Sequence, residues 1–192
     1  RKQANELSGI NSIYYIDDFK DILSSIATKV DTFYINKNEH YRANSPVETR
    51  EDRFISWLLK NYPAHNVAKS NPILQRQRSI KHPHEIDQIK RACDITMKGF
   101  NRVLKFIKPD VWEYEIQAEF IHEFINNSSK GFAYSPIIAS GNDNNVLHYI
   151  KNDKQWKSGE LILMDVGAEY GNYSSDMTRT IPVSGKFSKR QK

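Results

Sequence analysis

The sequence is poor in cysteine, in long apolar runs and in low-complexity tracts, and each shortage excludes a class of protein. One cysteine in 192 residues excludes an internal disulfide framework and fits a reducing compartment. No apolar run approaches the roughly 18 residues of a membrane-spanning helix, and no apolar signal segment follows Arg1. We therefore expect a cytoplasmic globular protein without a membrane partner, and a buried, unreactive thiol at Cys93.

The chain carries a formal charge of +5 and has a pI near 9.1, values that also occur in nucleic-acid-binding proteins. Its lysines and arginines, however, are scattered among acidic neighbours, and only residues 186–192 form a concentrated basic run. We therefore expect no nucleic-acid partner. The mean hydropathy of -0.67 and the 39% of hydrophobic residues are typical of a chain that buries an ordinary core.

The first part of the chain alternates strand-like and helix-like segments. In chain order these are a strand at 12–16, a helix at 17–30, a strand at 32–35 and a helix at 47–62. A polar loop covers residues 36–46. The alternation predicts an α/β domain in which helices cover a sheet. The basic, turn-rich stretch 71–83 is the predicted linker, so we divide the chain into domains 1–76 and 77–192.

The second part begins with helices and continues with strands. Apolar residues recur at steps of three and four over 83–107 and 114–126, which predicts two amphipathic helices. Strand-like runs at 132–139, 161–168 and 174–183 are separated by turns rich in glycine and asparagine. This succession predicts an α+β domain.

Two aspartates stand in the last two predicted strands. Asp165 interrupts an apolar run in mid-strand, where a carboxylate is costly unless it has a partner. A hairpin centred on Tyr170-Gly171 would place Asp165 directly opposite Asp176, with Cβ atoms about 4.5–5.5 Å apart. Such carboxylates repel each other unless a cation lies between them, and hard oxygen ligands are typical of divalent-metal pairs. Aspartates near hairpins also serve as turn and capping residues, so spacing alone leaves a structural role open.

The sequence around these aspartates resembles the first metal-ligand segment of the Xaa-Pro aminopeptidases. The resemblance is carried by Met164-Asp165-Val166-Gly167-Ala168 and by Ser175-Asp176-Met177-Thr178-Arg179-Thr180. It extends upstream through Ser140-Gly141-Asn142 and Leu147-His148-Tyr149 to the helix from Glu85, and more loosely to the segment before it. The Xaa-Pro aminopeptidases belong, with prolidase and methionine aminopeptidase, to the pita-bread metallopeptidases.

The resemblance implies a fold and a set of site residues. The fold is an α/β N-terminal domain of the creatinase-like kind, followed by a truncated α+β pita-bread catalytic domain. Asp165 and Asp176 would bind two divalent metal ions, with Asp176 bridging both, and His148 would contact the substrate and steady the tetrahedral intermediate. Thr178, on the ligand face, would support the metal ligands. Manganese is the expected metal, with cobalt, zinc and iron as alternatives.

The function implied by the resemblance is release of the N-terminal residue from peptides with proline at the second position, by attack of a metal-bridging water. The complete enzyme would be a homodimer. The family's other three metal ligands would follow Lys192, so we expect the chain to be inactive by itself. Two alternatives stay open: a prolidase acting on Xaa-Pro dipeptides, and a non-catalytic pita-bread module that binds proteins. The predicted surface or capping histidines are His40, His65, His82, His84 and His122.

Overall fold

The computed structural model describes residues 1–37 and 47–192. This part of the chain divides into two compact units, Arg1–Ile80 and Lys81–Lys192. Most of the predicted polar loop, and His40 with it, lies outside the described residues. Within the described ranges, no helix is both long and apolar enough to cross a membrane.

The first unit has the predicted α/β character. Its helices are α1 (Lys2–Ser8), α2 (Phe19–Ala27), α3 (Arg50–Asn61) and α4 (Asn71–Ser79), and its strands are β1 (Thr32–Ile35) and β2 (Asn66–Lys69). The two strands pair in parallel, with Phe33 opposite Val67. Parallel neighbours need a crossover connection, and α3 lies between them in the chain. Ala27, Phe33 and Leu58 form the buried centre of this unit.

Two segments of the first unit differ from the prediction. Residues 12–16 are not a strand: Ile16–Asp18 form a 3₁₀ turn, and Tyr14 and Tyr15 are exposed. β-Rich composition produces a strand only where a neighbouring strand and a half-buried face exist. The predicted linker 71–83 contains α4 over most of its length, where turns were expected, and the first turn of this helix accommodates a proline. The boundary between the two compact units, after Ile80, falls inside the predicted linker.

One histidine of the first unit belongs to its interior. His65, predicted to be a surface or capping residue, is half-buried, and its Nε2 lies 2.8 Å from the carbonyl oxygen of Ala27. Its ring stacks on that of Phe33 at a centroid distance of 5.0 Å. Because Ala27 is the last residue of α2, the contact caps the carbonyl end of that helix, in agreement with the predicted capping role.

The second unit confirms the predicted order of helices followed by strands. Its helices are α5 (Pro83–Phe106) and α6 (Glu113–Asn126), and its strands are β3 (Gly131–Phe132), β4 (Ile137–Ser140), β5 (Leu161–Val166), β6 (Ala168–Tyr170), β7 (Tyr173–Ser174) and β8 (Met177–Pro182). Two antiparallel sheets result, ordered β4-β5-β8 and β3-β6-β7. The main core joins apolar residues of β5 with helical aromatics: Ile162, Met164, Val166, Phe100, Phe120 and Phe124.

Helix α5 carries apolar residues on two faces. Ala92, Ile95 and the residues at helical steps from them are buried. Cys93 is exposed, and so are Ile86 and Met97, one before it and one after it in the helix, each more than two-fifths accessible. The prediction of a buried Cys93 is therefore wrong, because one residue of rotation about the helix moves a side chain to another face.

Candidate metal centre

Strand β5 brings Asp165 to the open face of its sheet. Along this strand Ile162, Met164 and Val166 are fully buried, and the alternating residues, among them Asp165, are half-buried. Successive side chains of a strand point to opposite faces. The carboxylate therefore emerges on the side away from the core. Because β5 is the central strand of three, Asp165 is fixed by hydrogen-bonded neighbours on both sides.

Asp176 is positioned by a close approach of two backbone segments. It lies one residue before β8 and follows Ser175, a buried residue whose hydroxyl is 2.7 Å from that of Thr96. The backbone N–H of Ala168 donates to the same serine oxygen at 3.0 Å. A Cβ at Gly167 would lie 1.9 Å from the backbone oxygen of Ser175. Glycine at this position thus allows the segment carrying Asp176 to approach the end of β5.

The register differs from the predicted hairpin. Asp165 pairs with Thr178 and not with Asp176, which lies two residues earlier in the chain. The turn is centred on Gly171-Asn172, one residue later than predicted, and both have positive φ, 58° and 65°. Positive φ at both central residues is the requirement of a type I′ hairpin turn. A two-residue offset preserves the face to which a side chain points, so both aspartates still face one side.

The hydroxyl of Tyr134 joins the two carboxylates. Its oxygen is 2.6 Å from Oδ1 of Asp165 and 3.1 Å from Oδ1 of Asp176. The two Oδ1 atoms are therefore separated by less than the sum of these distances. Burial, reinforced by the hydrogen bonds and negative charges of the two aspartates, raises the pKa of Tyr134 above its ordinary value. The tyrosine accordingly keeps its proton and shares it between two acceptors. Sequence reasoning missed this residue.

An open pocket of about 510 Å³ surrounds the pair. Its lining residues are Tyr134, Ser135, Ile137, His148, Ile150, Asp165 and Asp176. His148 is exposed, with the positive φ of 54° that is uncommon outside glycine. The structure thus gathers three of the predicted site residues around one pocket. The fourth, Thr178, is exposed and lies directly opposite Asp165 on the same face.

The carboxylates of Asp165 and Asp176 are ligands of the type that divalent metals prefer, and they form only part of a ligand set. Carboxylate oxygens are ligands that manganese and similar hard cations prefer, and their convergence favours a cation between them. Across residues 1–37 and 47–192, no group of three or more histidine, cysteine, aspartate or glutamate side chains is placed to hold a metal. Asp165 and Asp176 can therefore supply two ligands of a centre that needs others.

Comparison with known proteins assigns residues 87–192 to a family of metallopeptidases. The model of metallopeptidase family M24 matches residues 87–192. A Xaa-Pro aminopeptidase of Haemophilus influenzae is 31% identical over 191 residues, an alignment covering 100% of this chain and 42% of the relative. Human Xaa-Pro aminopeptidase 3 is 30% identical over 189 residues, covering 98% of this chain and 36% of the relative.

Solved structures give the same result. A Bacillus anthracis chain assigned to aminopeptidase P superposes with a TM-score of 0.91 at 33% identity, covering 100% of this chain and 46% of that one. Zinc-substituted Escherichia coli aminopeptidase P in complex with product superposes with a TM-score of 0.85 at 27% identity, covering 98% and 43%. These matches confirm the expected fold. The chain spans less than half the length of each of these proteins.

Proposed function

The chain belongs to metallopeptidase family M24, and on this premise we propose that the complete protein releases the N-terminal residue from peptides with proline at the second position. The names of the related enzymes support this substrate class. One observation of the structure carries the proposal: Asp165 and Asp176 converge on a single hydroxyl inside an open pocket. A module that only binds proteins has no need of paired carboxylates at such a place.

Asp165 and Asp176 would hold part of a centre for two divalent ions. Manganese is the proposed metal, with cobalt, zinc and iron as alternatives. Bound ions of this kind supply Lewis acidity and activate water for hydrolysis. Tyr134 restrains both carboxylates from within the pocket, and Thr178 flanks Asp165 on the same face. Since two carboxylates are only part of such a ligand set, the 192-residue chain is expected to be inactive alone.

His148 would act on the substrate. Its ring lines the pocket and is exposed, so a peptide lying over the two aspartates can reach it. An imidazole N–H donated to the carbonyl oxygen of the scissile bond would stabilise the negative charge that develops there. This assigns the carboxylates to the metals and the histidine to the peptide.

The experiment compares three substrates on the complete protein after removal of metal by a chelator and reloading with manganese, cobalt, zinc or iron. The substrates are a tripeptide with proline at the second position, the same tripeptide with alanine there, and an Xaa-Pro dipeptide. Metal-dependent cleavage of the proline tripeptide in preference to the alanine one supports the proposal. Cleavage of the dipeptide alone identifies a prolidase. No hydrolysis with any metal contradicts an enzymatic function.

Two substitutions separate the roles of the residues. Asp176→Asn should abolish hydrolysis and lower the bound metal. His148→Ala should lower kcat by about 10²-fold or more while the metal content stays near that of the unaltered protein. His122→Ala, a change at an exposed position of α6, is the matched control and should leave both unchanged. Loss of metal in His148→Ala would make that histidine a ligand.

Light scattering of the complete protein tests the expected homodimer.

A further inference from the structure

A buried carboxylate outside the metal centre holds the segment that carries His148. Glu113, the first residue of α6, is fully buried. Its Oε1 accepts a hydrogen bond from the hydroxyl of Ser140 at 2.7 Å. Its Oε2 accepts from the hydroxyl of Tyr149 at 2.8 Å and from the backbone N–H of Lys154 at 3.0 Å. A buried carboxylate persists in a fold when such donors satisfy it.

The segment 148–154 has an unusual backbone. His148 and Asn152 have positive φ values of 54° and 49°, a conformation that is uncommon outside glycine and that histidine and asparagine adopt more readily than most residues. Tyr149 lies next to His148, and its buried ring ends at Glu113. The backbone of Lys154 makes two bonds to Glu113, donating to its carboxylate and accepting from its N–H at 2.9 Å. Glu113 is therefore hydrogen-bonded to the segment near both of its ends, at Tyr149 and at Lys154.

The middle of the segment is attached to β4. The side chain of Asn152 accepts from the backbone N–H of Ile138 at 3.0 Å and donates to the carbonyl of Pro136 at 2.9 Å. Strand β4 pairs with β5, where Ile137 is opposite Asp165. The segment that carries His148 is thus tied to the same sheet that carries the metal-binding carboxylate.

We propose that Glu113 is a positioning residue for His148, acting through Tyr149 and the backbone of Lys154. The proposal rests on the proposed function, in which His148 contacts the substrate. Glu113 is enclosed by the protein, so its effect on the reaction passes through this segment. Three donors converge on its two oxygens. Without an acceptor there, the N–H of Lys154 would lose its bond, and the hydroxyl of Tyr149 would keep only the longer contact of 3.3 Å to Oδ1 of Asp153.

The chemistry of the three donors gives a conservative variant. In Glu113→Gln the remaining carbonyl oxygen can still accept from Tyr149 and Lys154. The new NH₂ group then faces Ser140, whose hydroxyl can accept as well as donate. Glu113→Gln should therefore keep most of the activity, and Glu113→Ala should lose it. Activity retained in Glu113→Gln is expected if residue 113 acts as a hydrogen-bond acceptor. It is not expected if the negative charge of the carboxylate is required.

The test is a double-mutant cycle on the complete, metal-loaded protein. Tyr149→Phe should lower kcat by about tenfold, with KM and metal content near their original values. In the His148→Ala background the same change should cost less than about twofold, because the residue it positions is already gone. Ser140→Ala removes the third donor, outside segment 148–154, and is the control; it should leave kcat within about twofold. Equal losses from Tyr149→Phe in both backgrounds would overturn the proposal.

Hydrogen–deuterium exchange gives a readout that does not depend on activity. Tyr149→Phe and Glu113→Ala should accelerate exchange in the peptide spanning residues 147–154, and Ser140→Ala should not. Unchanged exchange in both of the first two variants would show that Glu113 does not hold this segment, which overturns the proposal. Full activity of His148→Ala would show that His148 does not act on the substrate. Glu113 would then have no positioning role in the reaction, even if the exchange data show that it anchors the segment.

Discussion

Replacing Tyr134 with phenylalanine tests whether the shared hydroxyl organises the carboxylate pair. The change keeps the ring and removes one oxygen, which lies 2.6 Å from Asp165 and 3.1 Å from Asp176. A hydrogen bond to a charged group contributes about 1.5–3 kcal/mol, and since one hydroxyl has one proton we count a single such bond. Without it, the carboxylates repel and turn apart, so metal binding must bring them together. The expected loss is roughly 10- to 100-fold in metal affinity.

The assay is a manganese titration of the metal-free complete protein followed by calorimetry. Tyr170→Phe is the matched control, because its hydroxyl accepts from Arg91 on an exposed surface at 2.6 Å and has no contact with the aspartates. That control should bind manganese within about twofold of the unaltered protein. Unchanged affinity in Tyr134→Phe would refute the organising role. Tighter binding would show that the hydroxyl competes with the metal for the carboxylate oxygens.

Three further results are expected. Gly167→Ala places a Cβ 1.9 Å from the backbone oxygen of Ser175 and should lower the unfolding free energy by about 3 kcal/mol or more; a change under about 1 kcal/mol in urea denaturation contradicts the geometry. Hydrogen bonds from Lys37 and Thr49 lower the pKa of Asp52 from 3.8 to about 2. This carboxylate therefore stabilises the fold above about pH 4 and loses its effect as pH falls towards about 2. The difference in unfolding free energy between the unaltered protein and Asp52→Asn should therefore narrow between about pH 4 and about pH 2. The 192-residue chain with manganese should not cleave Xaa-Pro peptides, and activity equal to that of the complete protein would show that its site needs no further ligands.

The sequence predicted which face of β5 carries Asp165, because burial and alternation act locally. Ile162, Met164 and Val166 share one face, so a carboxylate at residue 165 had to emerge on the other. The register was not predictable from this alternation. It depends on the turn, and the positive φ values of Gly171 and Asn172 favour a centre one residue later than the one we chose.

The supporting residues were beyond sequence reasoning. Tyr134 meets its carboxylates across 31 and 42 residues of chain, and Glu113 meets Tyr149 across 36. No local pattern marks such contacts, since they form only when the sheet and α6 are assembled. Helix α4 could have been predicted from the sequence, because Pro72 in a first helical turn is compatible with a helix. The basic composition of 71–83 led us instead to predict a turn-rich linker there.

Anomalous diffraction at the manganese edge, from crystals of the active complete protein grown with manganese, locates the bound metal relative to the two aspartates. We expect manganese peaks within about 2.0–2.6 Å of carboxylate oxygens of both Asp165 and Asp176. Manganese peaks in an active, metal-loaded crystal that lie away from both aspartates would contradict this expectation.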